Sequence, residues 1–391
     1  MKILIVAMSD SIHTARWIKQ LEGTGWEIHL FPSIDYGEVH SELENVTVHH
    51  MFYSNHTPSQ KVIQKGFNLK SKLAVSVLRY IFQKKFPLYR QKQLENLIKK
   101  LNPSVVHSLE IQHAGYLVHE VKKKLDSFPP WILTNWGSDI YLFGRLQEHR
   151  QKIAEILSAC DYYSCECTRD IALAQELGFK GIVLPVVPNS GGMEEYVFEI
   201  YKNTQKPSLR KKIMLKGYQG WSGRALTAIR AMSRCADILI GYEIIAYSVA
   251  EEVKIALELF SSESGIPIRI LSSKTARKEL LAAHSEARIS VGLGISDGIS
   301  TSMLEAMSVG TFVIQARTAC ANEWIIDYTN GLLVHPEEPQ EVEAALRMAL
   351  LDDSLVDQAA KINSEIIEKR VDFKTIATTA KSFYELAARK D

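Results

Sequence analysis

The residues most suited to chemistry lie in the stretch 292–310, where two carboxylates flank the expected start of a helix. Asp297 and Glu305 are eight residues apart, and Ser300 lies between them. Apolar residues before Asp297 predict a strand, and apolar residues at helical spacing after Ser300 predict a helix. The backbone N–H groups and the dipole at a helix N-terminus favour phosphate. Because carboxylates accept hydrogen bonds from sugar hydroxyls, the stretch indicates a binding site for a diphosphate with a sugar on either side.

Neighbouring residues fit the same interpretation. Gly298 permits close approach of the backbone to a ligand, and Ser300 and Thr301 offer hydroxyl donors. The spacing leaves a second interpretation open, in which Asp297 caps the helix and Glu305 pairs with a basic neighbour.

Alternating strand-like and helix-like segments must position these residues. Residues 2–8 form a continuous apolar run, residues 12–21 repeat apolar side chains at helical spacing, and residues 27–31 are again apolar. Strand, helix and strand in this order predict a βαβ unit and a parallel sheet. The same pattern predicts further strands at residues 104–109, 131–135 and 181–187.

A second set of alternating segments begins near residue 211. It predicts strands at residues 212–215, 237–242, 267–271, 288–293 and 311–315, and helices at residues 224–232, 249–260, 274–283 and 300–309. The fold class is therefore α/β, with two Rossmann-like, doubly wound domains. The predicted organisation is an N-terminal domain over 1–187, a turn-rich inter-domain linker over 188–210, a C-terminal domain over 211–370 and a final amphipathic helix over 371–391.

Composition excludes several other classes of protein. The 391 residues include 46 Lys and Arg against 45 Asp and Glu, a formal net charge of +1, so no overall attraction to nucleic acid is expected. No stretch is long and apolar enough to predict a transmembrane helix, and the first residues do not resemble a signal peptide. The five cysteines, an odd number, favour a reducing, cytoplasmic location over a disulfide framework.

The 292–310 stretch resembles the E-x7-E region of retaining glycosyltransferases of family 4, which have the GT-B fold. Asp297 takes the place of the first glutamate, Glu305 with Ala306 matches the second, and Gly310 matches a later glycine. Three further segments resemble elements of that family, in the family's order: residues 11–17, the sequence Trp-Gly-Ser-Asp at residues 136–139, and residues 184–189.

The resemblance implies a retaining, metal-independent hexosyltransferase whose two Rossmann-like domains face each other across a cleft. The N-terminal domain would bind the acceptor, the C-terminal domain would bind a nucleotide-diphosphate sugar, and the final helix would pack back on the N-terminal domain. Glu305 would contact the ribose, Asp297 the transferred sugar, and the amides of Ser300 and Thr301, next to Gly298, the diphosphate. No cofactor is implied, because the nucleotide sugar is a substrate.

A basic pair in that family holds the donor diphosphate, and Lys216 and Arg224 occupy its place. Lys216 ends a predicted strand, a glycine-rich loop follows, and Arg224 opens a helix, although the order and gap differ from the family pattern. Two cations would neutralise the charge that grows on a leaving diphosphate; otherwise they are a solvated loop charge and a helix-surface arginine. The Asp-x-Asp motif of metal-dependent transferases is absent from the sequence, so no metal site is predicted.

Other family positions map onto less specific patterns. His113 follows the strand at 104–109 and would contact the donor sugar, whereas His107 inside that strand is expected to be a core residue. Ser273 lies where the family holds the nucleotide base with backbone groups. The acceptor side is predicted to include three residues: Ser11, His13 and Asp139. Asp139 could equally cap the helix that follows it.

Residues 61–100 break the even charge balance. They contain eleven Lys or Arg residues with interleaved aromatic side chains, and Glu95 is their only acid. Such a segment favours contact with an anionic membrane surface, and a solvated helix face is the alternative.

Three functions remain open at this point. The leading prediction is a glycosyltransferase that uses a glycan, a lipid-linked or a small-molecule acceptor in bacterial surface polysaccharide or glycoconjugate synthesis. A GT-B nucleotide-sugar epimerase would need an acid/base pair at the sugar and no acceptor. A catalytically silent GT-B subunit would bind a partner or a glycan only.

Overall fold

The computed structural model describes residues 1–54 and 61–389, and the chain divides into two compact units. The first unit comprises Met1–Gly192 and Phe373–Asp391, and the second comprises Met193–Asp372. The last helix of the chain therefore belongs to the first unit.

The first unit is built on an eight-stranded sheet in which every neighbouring pair is parallel. Its strands are β1 (Lys2–Ala7), β2 (Glu27–Pro32), β3 (Val46–Tyr53), β4 (Val62–Asn68), β5 (Val105–Leu109), β6 (Trp131–Thr134), β7 (Tyr162–Ser164) and β8 (Ile182–Val183). The strand order is β4-β3-β2-β1-β5-β6-β7-β8. The order changes direction between β1 and β5, which is where open parallel sheets bind ligands.

Helices connect these strands. They are α1 (Ile12–Lys19), α2 (Lys72–Lys85), α3 (Tyr89–Leu101), α4 (Tyr116–Lys122), α5 (Gly137–Tyr141), α6 (Gln147–Ala159) and α7 (Thr168–Glu176). A π-helical turn, Ile111–Gly115, follows β5, and the segment Phe373–Ala388 forms the C-terminal helix.

Strand β1 is buried on both faces, as its continuous apolar sequence predicts. Side chains alternate between the faces: Ile3 and Ile5 share one core cluster with Phe383 of the C-terminal helix, and Leu4 belongs to the cluster on the other face.

A buried chain of hydrogen bonds attaches the C-terminal helix to the sheet. Trp17 Nε1 donates to the Tyr384 hydroxyl at 2.8 Å, and that hydroxyl lies 2.7 Å from His107 Nδ1. His107 Nε2 lies 2.7 Å from Thr134 Oγ1. Burial lowers the pKa of His107 to about 3, so the imidazole is neutral. His107 is a core residue, as expected from its place inside a strand.

The second unit contains a six-stranded sheet, again parallel throughout. Its strands are β9 (Lys212–Lys216), β10 (Glu243–Tyr247), β11 (Ile268–Ile270), β12 (Ala287–Gly292), β13 (Phe312–Ala316) and β14 (Leu332–Val334), in the order β11-β10-β9-β12-β13-β14. Its helices are α8 (Glu195–Lys202), α9 (Ala225–Arg234), α10 (Glu251–Ser264), α11 (Arg277–Ser285), α12 (Thr301–Ser308), α13 (Pro339–Leu351) and α14 (Asp353–Val371). The order changes direction between β9 and β12.

The strand predicted at residues 237–242 is wrong. These residues form turns, and the strand is β10, which begins at Glu243. Leu239 is buried in the core, the next residue, Ile240, is 80% exposed, and Gly241 has a φ of +86°. The left-handed backbone at Gly241 suits glycine and ends the turn, so this segment supplies two core residues, Leu239 and Tyr242, without joining the sheet.

Two further features differ from the sequence-based expectation. Most of the stretch 188–210, predicted as a linker, lies in the second unit, where helix α8 buries Val197 and Phe198. The first sheet also contains β3 and β4, whose polar residues obscure the alternation that identifies a strand.

Tyr384→Phe should lower the free energy of unfolding by about 1–3 kcal/mol, because the Trp17 indole N–H and His107 Nδ1 would both stay buried without their partner. The measurement is urea denaturation. The control is Tyr328→Phe, a tyrosine of the second unit that is 66% exposed. Equal stability of the two variants would contradict the assignment.

Candidate functional site

Backbone contacts join the two loops at the carboxyl ends of β9 and β12. Gly223 and Gly294 form an antiparallel bridge, and the Arg224 N–H donates to the Leu293 carbonyl at 3.0 Å. The two loops therefore form one surface at the point where the strand order reverses, the usual ligand position in such sheets.

Lys216 lies at the centre of this surface. Its Nζ donates to Ser300 Oγ at 3.3 Å, lies 3.8 Å from Asp297 Oδ2 and sits 4.5 Å from the centre of the Tyr218 ring. Burial, the largest effect, disfavours the ammonium, but attraction by Asp297 and other acidic groups outweighs it, so the pKa of Lys216 is raised. The structure thus brings together three of the predicted residues, Lys216, Ser300 and Asp297, and the acidic neighbours favour the charged form of Lys216.

The N-terminus of α12 lies beside this charge. Ser300 is the N-cap residue by position, but its hydroxyl makes no capping bond; it accepts from Lys216 and lies 3.0 Å from Ser302 Oγ. The first N–H groups of a helix have no partner inside the helix. Thr301, the first residue of α12, and Gly298, in the buried turn before it, therefore form part of an anion-favouring terminus.

Glu305 is buried in the second turn of α12 and pairs with Arg277 of α11. Arg277 Nε donates to Glu305 Oε1 at 2.8 Å, and another guanidinium nitrogen of Arg277 lies 3.2 Å from Glu194 Oε2. Burial opposes the charge of Arg277, but Glu305 more than compensates for it and the pKa of Arg277 is raised. Glu305 thus pairs with a basic neighbour, Arg277, as the second interpretation of the sequence allows.

Two buried aromatic residues lie under the same site, and sequence analysis missed both. Burial raises the pKa of the Tyr247 phenol at the end of β10. His284 is fully buried, its ring meets the Tyr247 ring edge-on at 5.4 Å, and neither of its nitrogens has a hydrogen-bond partner in the described residues. Burial lowers the pKa of His284 to about 4.

In the described residues, Arg224 and Ser273 are not among the contacts of the Lys216 side chain. The Arg224 guanidinium binds the Glu337 carboxylate and the carbonyl oxygens of Gly220 and Gly223. The Arg224 guanidinium is thus engaged by an acidic side chain and two carbonyl oxygens, and its place in a basic pair with Lys216 stays a prediction. Ser273 is an exposed residue in the turn after β11.

In the first unit, predicted residues follow strands on both sides of the β1/β5 switch. Ser11 caps α1 by accepting the His13 N–H at 3.2 Å, and the His13 ring meets the Trp136 ring edge-on at 5.5 Å. Asp139 is buried and accepts the N–H groups of Ile111 at 2.9 Å and Trp136 at 2.8 Å. Asp139 thus has the capping contact that the sequence left as an alternative.

Glu110 positions His113, and sequence analysis missed this glutamate. Its carboxylate accepts the backbone N–H groups of His113, at 2.8 Å, and Ala114, and it lies 3.3 Å from His113 Nδ1. The hydrogen bond to Glu110 raises the pKa of the half-exposed His113. The backbone of Glu110 has φ +77° and ψ +154°, a region that costs a non-glycine residue about 1–3 kcal/mol, which the two backbone hydrogen bonds help to offset.

Two family models match parts of the chain. A model described as glycosyl transferase 4-like matches residues 2–163, and a model described as glycosyl transferases group 1 matches residues 257–367. The chain belongs to glycosyltransferase family 4. That family consists of retaining enzymes with the GT-B fold, so the predicted family and enzyme class are confirmed. No curated protein matches the sequence.

Solved structures confirm the GT-B fold of this family 4 glycosyltransferase. It is 13% identical to sucrose-phosphate synthase from Thermosynechococcus elongatus, with a TM-score of 0.70 over 99% of this chain and 98% of that one. It is 13% identical to Anabaena HepE in complex with UDP-glucose, with a TM-score of 0.71 over 99% and 100% of the chains. A glycosyltransferase from Rickettsia africae is 12% identical, with a TM-score of 0.65 over 100% and 99%.

Glu110→Gln should lower the pKa of His113, because the amide keeps one oxygen that accepts a backbone N–H group but no longer attracts an imidazolium. NMR titration of the histidine ring signals measures this pKa. Glu148→Gln, a change in the first turn of α6, is the control and should leave the pKa of His113 near the wild-type value. An unchanged pKa in Glu110→Gln would show that the carboxylate does not act on the ring.

Proposed function

We propose that the chain binds a nucleotide-diphosphate sugar at the Lys216 cluster and transfers the sugar, with retention, to a glycan, lipid-linked or small-molecule acceptor. The observation that carries the proposal is the placement of Lys216 at the end of β9, within reach of both Ser300 and Asp297. The Lys216 side chain is 12% exposed, and an ammonium next to a helix N-terminus provides positive potential from two sources at one point.

The diphosphate would lie between Lys216 and the N-terminus of α12. The Lys216–Asp297 separation of 3.8 Å is long for a direct ion pair, so a phosphate oxygen can compete for the ammonium. Asp297, 37% exposed at its side chain, is then available to accept hydrogen bonds from the hydroxyls of the transferred sugar.

Glu305 is the proposed ribose ligand. An ionised carboxylate accepts hydrogen bonds from two neighbouring hydroxyls more strongly than a neutral group does. Arg277 Nε, 2.8 Å from Glu305 Oε1, fixes the orientation of this carboxylate. Ser273, after β11, keeps its proposed role at the nucleotide base.

The chemical step follows from these contacts. The bond between the sugar's anomeric carbon and the phosphate oxygen breaks, and the electron pair stays on that oxygen. Lys216 and the α12 N-terminus stabilise the charge that develops there. The acceptor oxygen attacks the same face of the sugar and gives its proton to the leaving phosphate, so no separate protein base is required.

Arg224 would contribute a second cation only after it releases Glu337. In the first unit we propose that Ser11, His13 and Asp139 act on the acceptor side and that His113, oriented by Glu110, donates a hydrogen bond to the donor sugar. No metal ion enters this scheme.

We further propose that the enzyme is cytoplasmic and works at the inner face of a membrane, in bacterial surface polysaccharide or glycoconjugate synthesis. The basic composition of residues 61–100 supports the membrane contact. No helix in residues 1–54 and 61–389 has the length and apolar character to cross a bilayer.

Lys216→Ala and Glu305→Ala should each lower turnover at least about tenfold, because each removes a charged contact to the donor. The measurement is nucleotide release from UDP-, GDP-, ADP- and CMP-sugars in the presence of candidate acceptors. Lys212→Ala, at the other end of β9, where the lysine pairs with Glu286, is the matched control and should retain full activity.

Wild-type rates in both site variants, with unchanged melting temperatures, would refute the assignment. Conversion of the donor sugar without any acceptor would instead indicate the epimerase, and failure of every nucleotide sugar to raise the melting temperature would indicate the silent subunit.

A further inference from the structure

One face of helix α2 packs against the rest of the first unit. Val75 is buried, and the Phe82 ring meets the Phe52 ring of β3 edge-on at 5.8 Å. One terminal nitrogen of Arg79 donates to the Asp35 carbonyl oxygen at 3.1 Å. These contacts fix the orientation of α2. The side chains on its opposite face therefore point to solvent.

The outward face of α2 is apolar as well. Leu73, Val77 and Tyr80 follow at spacings of four and three residues and therefore form one stripe. Leu73 is 74% and Tyr80 66% exposed. A surface helix ordinarily turns its apolar stripe inward and a polar face to water, so a second apolar stripe indicates contact with another apolar phase.

The apolar surface continues beyond the helix. Ile81 borders the stripe, and Phe86 and Leu88, in the connection to α3, are also exposed. We call this set, together with Lys84 and Lys85 in the last turn, the α2 surface. Its full membership is Leu73, Val77, Tyr80, Ile81, Lys84, Lys85, Phe86 and Leu88.

The structure also shows which cations of the 61–100 segment are available. Arg90 is mostly buried beside Asp35. Ion pairs within the protein engage several others: Lys61 with Glu44, Lys72 with Glu38, and Lys92 and Lys99 with Glu95. Lys84 and Lys85 are exposed and form no ion pair within the described residues. The count of eleven cations therefore overstates the available charge. Lys84 and Lys85, in the last turn of α2, are exposed cations that adjoin the apolar stripe.

We propose that the α2 surface binds an anionic phospholipid bilayer, with α2 lying in the interface. Leu73, Val77 and Tyr80 enter the boundary of the acyl chains, while Lys84 and Lys85 contact lipid phosphates. A tyrosine suits this boundary because its ring is apolar and its hydroxyl is polar. With 14 residues, α2 is too short to span the bilayer.

Charge distinguishes a bilayer from a second copy of the chain. A two-fold contact through the α2 surface places the same patch against itself, which brings Lys84 and Lys85 of both copies to one small interface. Anionic headgroups complement these lysines, and the acyl region accommodates the stripe. The inference deepens the membrane location in the proposed function and does not depend on the donor site.

The experiment is flotation of the full-length chain with phosphatidylcholine vesicles and with vesicles that also contain phosphatidylglycerol. The expected result is at least about tenfold stronger partitioning to the anionic vesicles. Higher salt should weaken binding without abolishing it, because salt screens the lysines and not the apolar contact.

Two variants separate the contributions. Leu73→Ser/Val77→Ser should lower partitioning at least about tenfold, and Lys84→Ser/Lys85→Ser should remove the preference for anionic lipid. Ile255→Ser/Leu259→Ser is the matched control: these α10 residues are 60% and 58% exposed at the same spacing on the second unit, and partitioning should match wild type. All variants should retain the wild-type melting temperature and nucleotide-sugar binding, which separates this test from that of the donor site.

Absence of vesicle binding by the wild type would overturn the proposal. So would wild-type partitioning in Leu73→Ser/Val77→Ser. Conversion of a wild-type dimer into a monomer by that variant, with no vesicle binding by either, would assign the surface to a second copy instead.

Discussion

The site depends on one electrostatic constraint: an ammonium held at the carboxyl end of a central strand, where burial alone would favour its neutral form. Lys216 remains charged because Asp297 and other acidic groups surround it. The cation in turn needs an anionic partner, and the Asp297 carboxylate lies 3.8 Å away. A phosphate placed there would take over the role of Asp297 and would also gain the helix dipole, so the arrangement suits a negatively charged ligand.

The topology explains why these residues meet. Lys216 ends β9 and Gly292 ends β12, and the two strands are neighbours although they are 70 or more residues apart in the chain. Their connections leave on opposite sides of the sheet. The first unit repeats this construction at β1 and β5, with Ser11 and His13 after one strand and Glu110 and His113 after the other.

Sequence alone predicted the parts of the fold and site that follow from local pattern. The βαβ order, most strands of the second sheet and the Asp297–Ser300–Glu305 helix start are local, and the structure contains them. The ion pair of Glu305 with Arg277 is not local: the two residues are 28 positions apart on separate helices.

Other features could not be predicted from local pattern. The position of Arg224 at a helix start follows from the sequence, but its contact with Glu337, 113 positions away, depends on tertiary packing. The strand at β10 was misplaced because an apolar turn imitates a strand, and only the positive φ of Gly241 separates the two. The outward stripe of α2 was visible only after the inward face had been identified.

The most direct measurement of the central claim is calorimetric titration with nucleoside monophosphates and diphosphates of each base, in buffer that contains EDTA. The account predicts that for one base the diphosphate binds at least about tenfold more tightly than the monophosphate, without metal. It also predicts that Lys216→Ala loses this difference and keeps the affinity for the monophosphate. Equal affinities in the wild-type protein, or an undiminished difference in the variant, would contradict the assignment of Lys216 to the diphosphate.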